Sequence, residues 1–152
     1  MNTLSFTGEM ARLQQAIAES HDLVVCRGTV LEALNLRTSE RVLEVGCGGG
    51  YLTYEAARFV GPTGRVCAID ISSDQIRTAK ARCAEFGWVE CREADITAPP
   101  YGDGAFDAVF AVQALEYLAD LDVALRHIHR MLSSGGRLVI VATDWSSAVW
   151  HS

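Results

Sequence analysis

The sequence lacks several features that would each have assigned the protein to a particular class. It has no run of Lys or Arg, and its 152 residues carry a net charge of −6. Proteins that hold nucleic acid through its phosphates usually present a basic face, so the composition argues against a nucleic-acid partner. No apolar run approaches the ~20 residues that a membrane-spanning helix needs. The first residues show no basic segment followed by an apolar core, so we predict no secretory signal and expect a cytoplasmic protein.

The cysteines also lack a recognisable pattern. There are five of them, an odd number, and no two have C-x-x-C spacing. This usage favours neither a disulfide framework nor a zinc site, and we predict no metal. Most of the cysteines are expected to be small buried residues in a reducing compartment.

Length and composition are those of one globular domain. Hydrophobic residues make up 49% of the chain and charged residues 21%, which is ordinary for a folded protein. A chain of this length buries roughly two-thirds of its unfolded surface. Because no internal repeat, low-complexity tract or linker interrupts it, we predict a single domain over residues 1–152. Its core is expected at 21–144, preceded by an N-terminal cap region at 1–20.

Short apolar runs alternate with amphipathic segments along the chain. We predict strands at 41–45, 65–69, 89–92, 106–112 and 137–142, and helices at 10–18, 22–34 and 51–59. A further helix begins at a cap, Ser72 or Ser73, and its predicted apolar face is Ile76, Ala79, Cys83 and Phe86. The last helix carries an apolar stripe of Leu121, Leu125, Ile128 and Leu132 and ends at a turn over 133–136. This alternation predicts an α/β fold with a parallel sheet, which binds ligands at the carboxyl ends of its strands.

The first predicted strand ends in glycines at alternating positions, Glu44-x-Gly46-x-Gly48-x-Gly50. A strand that ends in a glycine turn and opens a helix lets backbone N–H groups approach a ligand closely. The dinucleotide fingerprint G-x-G-x-x-G would need glycine at position 51, where this chain has Tyr51. A carboxylate at Glu44 suits a ligand with an ammonium group better than a pyrophosphate, which it would repel.

Acidic residues follow the next two predicted strands. Asp70 comes 20 residues after Gly50, where a carboxylate can accept hydrogen bonds from both ribose hydroxyls of an adenosine ligand. A helix cap or a solvated turn is the alternative for Asp70. Asp95 follows the third strand and could accept from an adenine amino group, with Ile96 packing on the ring; an ordinary turn residue is the alternative. Asp107 opens the fourth strand at the opposite end of the sheet, and we interpret it as structural.

Three polar residues, Gln113, Glu116 and Tyr117, follow the fourth strand at the ligand-binding end. They could line the passage between a cofactor and an acceptor. For Glu116 and Tyr117 the alternative is the exposed first turn of a helix.

In this order, the glycine turn, Asp70, the stretch EADITAPPYGDGAFDAV and the stretch HIHRMLSSGGRLVIV resemble the class I S-adenosylmethionine-dependent methyltransferases. The resemblance is strongest to the small-molecule branch that includes quinone-biosynthesis C-methyltransferases, and it runs from about residue 22 to residue 144. It implies a Rossmann-like, doubly wound parallel sheet of strand order 3-2-1-4-5 with helices on both faces. It also implies S-adenosyl-L-methionine as cofactor and a small-molecule methyl acceptor.

The resemblance implies specific cofactor contacts. Glu44 would face the methionyl ammonium through backbone or water, and Gly46, Cys47, Gly48 and Gly50 would hold the methionine part. The other implied contacts are Asp70 and Ile71 for the ribose and the flank of the adenine, Asp95 and Ile96 for the adenine, and Gln113 for the methionine moiety. His127 and His129 are expected far from this end of the sheet.

The C-terminal end departs from the family pattern. Class I methyltransferases continue past the fifth strand with a helix and two further strands, and that part normally carries some of the acceptor pocket. Without it, the apolar residues 138–142 would form an uncovered sheet edge. An uncovered edge of this kind predicts homo-oligomers formed through the fifth strand, or a longer chain.

Methyl transfer from a sulfonium is an in-line displacement, and an oxygen or nitrogen acceptor needs a general base. Glu116, Tyr117 and His21 are the candidates for that base. Arsenite methylation is disfavoured because the cysteines show no grouping in the sequence. Two alternatives remain: a cofactor-binding fragment or pseudo-enzyme that acts through a partner chain, and an NAD-binding oxidoreductase, which Tyr51 and Glu44 disfavour.

Overall fold

The computed structural model of the protein describes residues 21–142. Its elements, in chain order, are α1 (His21–Leu34), β1 (Arg41–Val45), α2 (Tyr51–Val60), β2 (Arg65–Asp70), α3 (Ser73–Arg82), β3 (Val89–Glu93), β4 (Phe106–Val112), a 3-10 turn (Leu115–Tyr117), α4 (Leu121–Met131) and β5 (Leu132–Val141). The predicted helix at 10–18 and the cap region at 1–20 lie outside the described residues. Among the helices of residues 21–142, none is long and apolar enough to cross a membrane.

The five strands form one parallel sheet in the order β3-β2-β1-β4-β5. The predicted strand order 3-2-1-4-5 is therefore confirmed. Near the carboxyl end of β1, Val45 lies opposite Ile69 of β2 and Ala111 of β4. The segments that follow these three strands consequently leave the sheet side by side, along the edge where the candidate site was predicted.

Helices cover both faces of the sheet because successive strand residues point to opposite sides. On one face, Val42, Val66 and Phe110 belong to an apolar cluster with residues of α1 and α2. On the other face, Leu43, Val109 and their neighbours form a cluster with the buried side of α4. The middle strands are apolar on both sides, as expected of a parallel sheet between two helical layers. Glu44 is the exception, a carboxylic acid in the interior.

The buried side of α4 differs from the predicted stripe. Its buried residues are Ala124, Ile128 and Met131. Of the predicted stripe, Ile128 is fully buried, Leu125 and Leu132 are partly buried against the same cluster, and Leu121 is exposed. The predicted stripe is therefore confirmed except at Leu121, and the fully buried side of the helix also includes Ala124 and Met131.

The prediction that a turn over residues 133–136 ends the last helix is wrong. These residues belong to β5, which begins at Leu132. The pairing of β5 with β4 shifts between Phe106↔Leu132 and Ala108↔Arg137. The extra residues form an irregularity that includes Gly135 at φ 77°. The Ser-Ser-Gly-Gly composition indicated a break correctly, but the break is a bulge within a strand.

The start of α3 confirms one of the two predicted caps. Ser72 is the N-cap residue, and its hydroxyl accepts a hydrogen bond from the Gln75 N–H at 3.4 Å. Ile76 and Ala79 are buried, whereas Cys83 caps the C-terminal end and Phe86 lies beyond the helix. The predicted apolar face therefore extends past the helix into the connection to β3.

Asp107 has the structural role that was predicted for it. Its carboxylate accepts hydrogen bonds from the Arg41 backbone N–H at 2.9 Å, from the Arg41 guanidinium at 2.7 Å and from the Ser133 hydroxyl at 3.1 Å. The hydrogen bonds from Arg41 lower the pKa of Asp107 to about 2. These contacts tie the amino ends of β1, β4 and β5 together, away from the candidate site.

Candidate functional site

The glycine loop, residues 46–50, leaves the carboxyl end of β1 and enters α2. The Ile69 carbonyl accepts hydrogen bonds from the Gly46 N–H at 2.8 Å and from the Cys47 N–H at 3.0 Å, which anchors the loop to β2. The Gly50 N–H donates to the Cys47 carbonyl at 3.0 Å and closes the turn. Gly46, Gly48 and Gly50 all have positive φ, at 72°, 51° and 77°. Glycine adopts this conformation at no steric cost, which explains the alternating glycines of the motif.

The three positive-φ glycines serve different purposes. A Cβ on Gly46 would collide with Ala114, and a Cβ on Gly50 would lie 2.8 Å from the Ala79 Cβ. The protein's own packing therefore requires glycine at both positions. A Cβ on Gly48 would meet nothing nearer than the Gln75 Oε1 at 4.0 Å. Gly48 thus borders open space, where a ligand can reach the backbone.

Asp70, the last residue of β2, holds the glycine loop directly. Its Oδ2 accepts a hydrogen bond from the Gly48 N–H at 2.9 Å, and its Oδ1 accepts one from the Ser72 N–H at 2.9 Å. Each oxygen of an ionised carboxylate has two acceptor positions, so each keeps one free for another donor. Asp70 is therefore both a brace for the loop and a site for two further hydrogen bonds.

The Glu44 side chain lies beneath the loop, only 4% exposed. The Thr53 hydroxyl of α2 donates a hydrogen bond to its Oε2. Removal from water raises the pKa of Glu44 to about 8, and the negative charges that Cys91 and Asp70 can carry add to the increase. Near neutral pH the group is mostly protonated, so without a bound cation it is not the carboxylate that the sequence suggested.

Ile71, Asp95 and Ile96 have different surroundings. Ile71 follows β2 and is 64% exposed, which is unusual for a large apolar side chain and leaves it free to cover a flat ring. Asp95 is exposed, and its Oδ1 accepts hydrogen bonds from the Thr97 N–H and hydroxyl, both at 2.8 Å. Ile96 is buried in the cluster that contains Ile69 and Leu115, so little of its side chain reaches the surface.

The segment after β4 brings the remaining candidates to the same edge. Gln113 has φ 50°, and its N–H donates to the Val141 carbonyl at 2.7 Å. Glu116 is half-buried and Tyr117 is exposed; both belong to the one-turn 3-10 segment. The alternative of an exposed helical turn therefore fits Tyr117 better than Glu116.

The three histidines within residues 21–142 do not gather at the glycine loop. His21 is exposed at the start of α1, and no described contact links it to the loop. His127 and His129 lie in the last part of α4, which leads into Leu132 opposite Phe106, the first residue of β4. They are therefore near the amino edge of the sheet, as predicted. Within residues 21–142, no three His, Cys, Asp or Glu side chains come together in a way that could hold a metal ion.

Three side chains that the sequence did not indicate support the glycine loop. The Arg82 Nε donates to the Gly49 carbonyl at 2.8 Å, and its Cζ lies 3.5 Å from the centroid of the Tyr51 ring. The Cζ of Arg27, on α1, lies 5.1 Å from the same centroid. These contacts join positions 24 or more residues apart, and no local pattern predicts them.

Comparison of the sequence and the fold with known proteins identifies the family. The family described as a methyltransferase domain matches residues 43–140. The ubiquinone/menaquinone biosynthesis C-methyltransferase UbiE of Cellvibrio japonicus is 32% identical over 114 residues, which cover 73% of this chain and 46% of that protein. The structure of the [4+2]-cyclase SpnF is 33% identical with a TM-score of 0.69, over 76% of this chain and 43% of that one. The geranyl diphosphate C-methyltransferase of Streptomyces coelicolor A3(2) is 26% identical with a TM-score of 0.72, over 84% and 49%.

The chain spans about half the length of the curated relatives it matches, or less; it covers 35%, 46% and 58% of the first three. The match begins within β1 and ends within β5, so it includes the glycine loop, Asp70, Asp95 and Gln113. Through this methyltransferase domain at residues 43–140, the chain belongs to the class I S-adenosylmethionine-dependent methyltransferases.

Proposed function

We propose that this chain binds S-adenosyl-L-methionine at the glycine loop and transfers its methyl group to a small-molecule acceptor. The open space beside Gly48 is the observation that carries the proposal. It lies where a side chain would otherwise be, next to the Asp70 carboxylate that holds the same loop residue. The accessible backbone at Gly48 suits the amino-acid end of such a ligand, and the two carboxylate oxygens of Asp70 suit its ribose hydroxyls.

The site residues divide between the parts of that ligand. The loop of Gly46, Cys47, Gly48 and Gly50 would hold the methionine part, with Gln113 beside it. Asp70 would accept from the ribose hydroxyls, while Ile71, Asp95 and Ile96 would bind the adenine. Ile96 would contribute through the small part of its side chain that reaches the surface.

Glu44 would act from below the loop. A ligand ammonium near the loop would favour the ionised carboxylate, because an opposite charge lowers the pKa of an acid. Binding would then release the proton that Glu44 holds near neutral pH. Thr53 would keep the carboxyl group oriented in both states.

When bound, the cofactor supplies a methyl group on a sulfonium, which is already an activated electrophile. The main task of the chain is then to hold the acceptor in line with that methyl group, an effect that can contribute about 7–11 kcal/mol. Where the acceptor is an oxygen or a nitrogen, Glu116, Tyr117 and His21 remain the candidates for a general base.

The relatives support a small-molecule acceptor. UbiE is named for C-methylation in ubiquinone and menaquinone biosynthesis, and the Streptomyces protein is named for C-methylation of geranyl diphosphate. SpnF, named as a [4+2]-cyclase, favours a second candidate: a cyclisation on the same fold. The two functions differ in whether a methyl group is consumed.

The exposed side of β5 supports a proposal about assembly. Leu138 is 38% exposed and Ile140 is 43% exposed, on the outermost strand of the described sheet. An apolar, β-branched edge strand is a template for pairing with another chain. We propose that the chain forms homo-oligomers through β5.

Calorimetric titration with S-adenosylhomocysteine and, separately, with NAD tests the proposed cofactor. Saturable binding of the former alone is the expected result, and binding of NAD alone would contradict it. A candidate acceptor is then incubated with methyl-labelled cofactor. Label in the product distinguishes methyl transfer from cyclisation, which would leave the cofactor unchanged.

A further inference from the structure

Two cysteines on neighbouring elements line one cavity. Cys83 follows α3 and Cys91 lies in the middle of β3. Both side chains line a cavity of about 390 Å³, together with Lys80, Phe86 and Glu90. Both cysteines are buried residues with free thiols. The connection over residues 84–88 turns the chain back, so that thiols eight positions apart meet at one wall, an arrangement that the sequence did not suggest.

The two thiols differ in character. Interaction with the neighbouring Cys83 thiol lowers the pKa of Cys91, and the Lys80 ammonium lowers it further against the opposing effect of burial. The same interaction and burial raise the pKa of Cys83, whose S–H donates to the Gly50 carbonyl. Because the thiolate is the reactive form, Cys91 is the nucleophile of the pair and Cys83 is its protonated neighbour.

We propose that Cys83 and Cys91 form a dithiol site that hydrogen peroxide converts to a disulfide. The Cys91 thiolate attacks the peroxide oxygen; the O–O bond breaks, water leaves after protonation, and a sulfenic acid remains on Cys91. The Cys83 sulfur then attacks the sulfenic sulfur, the S–S bond forms, and a second water leaves with the Cys83 proton. Two thiols are oxidised by two electrons, and one molecule of hydrogen peroxide is reduced.

The dithiol site is in contact with the glycine loop. The Cys83 Sγ lies 3.9 Å from the Gly50 carbonyl oxygen, to which its S–H donates. The preceding residue, Arg82, donates to the Gly49 carbonyl. A disulfide has no S–H donor and turns the Cys83 sulfur toward Cys91. If the cofactor binds at the glycine loop as proposed, the oxidised protein should bind S-adenosylhomocysteine several-fold more weakly than the reduced protein does.

Peptide mapping tests the disulfide directly, because trypsin releases both cysteines in one peptide, residues 83–92, which has no internal Lys or Arg. The protein is treated with hydrogen peroxide, alkylated with N-ethylmaleimide in denaturant and digested. We expect this peptide to lose two hydrogens and to carry no alkyl group, and dithiothreitol should restore both labels. Cys26→Ser, on α1, is the control and should leave the cross-link unchanged. Separately alkylated or over-oxidised thiols in peptide 83–92, with no cross-linked form, would overturn the proposal.

Titration of S-adenosylhomocysteine into the reduced and the oxidised wild-type protein tests the coupling. Cys83→Ser cannot form the cross-link, so peroxide should leave its affinity unchanged. Equal affinity of the two wild-type forms, with the disulfide confirmed, would overturn the coupling alone. A reduced protein that binds no S-adenosylhomocysteine would contradict the proposed cofactor site while the peptide map still decides the dithiol site.

Discussion

Asp70 and Gly48 are joined by a hydrogen bond that crosses from one strand end to the next, with the Asp70 Oδ2 2.9 Å from the Gly48 nitrogen. The bond spans 22 residues and fixes the loop position that borders open space. The acid that would bind a ribose is therefore also the acid that shapes the loop. Substitutions at Asp70 should affect ligand affinity and loop geometry together.

Asp70→Ala removes both acceptor oxygens. At about 1.5 kcal/mol or more for a charge-assisted hydrogen bond, we expect the affinity for S-adenosylhomocysteine to fall at least tenfold. Asp70→Asn keeps one acceptor oxygen and should lose less. Asp103→Ala is the matched control, because it removes the same charge from an exposed side chain that pairs with Arg130. Calorimetry that finds undiminished affinity in Asp70→Ala would remove this residue from the site.

Gly48→Val should separate ligand binding from folding. The side chain would enter the space beside the loop, so binding should be lost while the sheet remains formed. The positive φ adds a modest backbone cost of about 1–2 kcal/mol. Gly50→Ala is the comparison, because its Cβ would meet Ala79, and it should lower the melting temperature more than Gly48→Val does. Normal binding by the valine variant would mean that the ligand does not approach Gly48.

Glu44 should make stability depend on pH. Its pKa rises from 4.5 to about 8 on folding, so between these values the unfolded chain has lost a proton that the folded protein keeps. Raising the pH through this window therefore favours unfolding, by at most about 1.4 kcal/mol per pH unit. The contribution is complete below about pH 4.5 and is lost by about pH 8.

Denaturant unfolding of the wild type and of Glu44→Gln, compared from pH 5 to pH 8, measures this contribution. The glutamine keeps an acceptor for Thr53 but does not titrate, so its free energy of unfolding should fall less over the window. Parallel pH profiles of the two proteins would show that Glu44 does not hold its proton in the folded state.

Arg82 is expected to be a positioning residue for the loop. The Arg82 guanidinium lies over the Tyr51 ring and donates to the Gly49 carbonyl at the same time, and a lysine ammonium cannot replace both contacts. Arg82→Lys should therefore weaken S-adenosylhomocysteine binding several-fold and speed amide hydrogen exchange in residues 46–50. Arg77→Lys, on the same helix and paired with Asp74, is the control. Unchanged amide hydrogen exchange in Arg82→Lys would show that this arginine does not position the loop.

Association through β5 can be measured by light scattering of the 16.5 kDa chain. Replacing both Leu138 and Ile140 by lysine places charge on the exposed side of the edge strand and should shift the protein toward monomer. A wild-type protein that is already a stable monomer at high concentration would contradict the proposal.

The sequence by itself determined the elements of the sheet and the edge at which a ligand site was expected; the strand order came from the resemblance to the class I methyltransferases. Alternating apolar runs and helical periods specify a parallel α/β fold, and the glycines at 46, 48 and 50 specify a turn that only residues tolerant of positive φ adopt. These signals are local, because each depends on neighbours within a few positions. The start of β5 was missed for a physical reason: the irregularity over 133–136 arises where β5 pairs with β4, a strand more than 20 residues away.

Only the tertiary structure decided the surroundings of each candidate site residue. The raised pKa of Glu44 follows from its burial, which outweighs the opposing effect of the Thr53 hydrogen bond, and the hydrogen bond from Gly48 to Asp70 joins positions 22 residues apart. The stack of Arg82 on Tyr51 and the meeting of Cys83 with Cys91 at one cavity also arise when the strands and helices pack. Burial and contact between distant segments set the pKa, orientation and reactivity of these side chains, and the spacing of residues along the chain predicts neither burial nor such contacts.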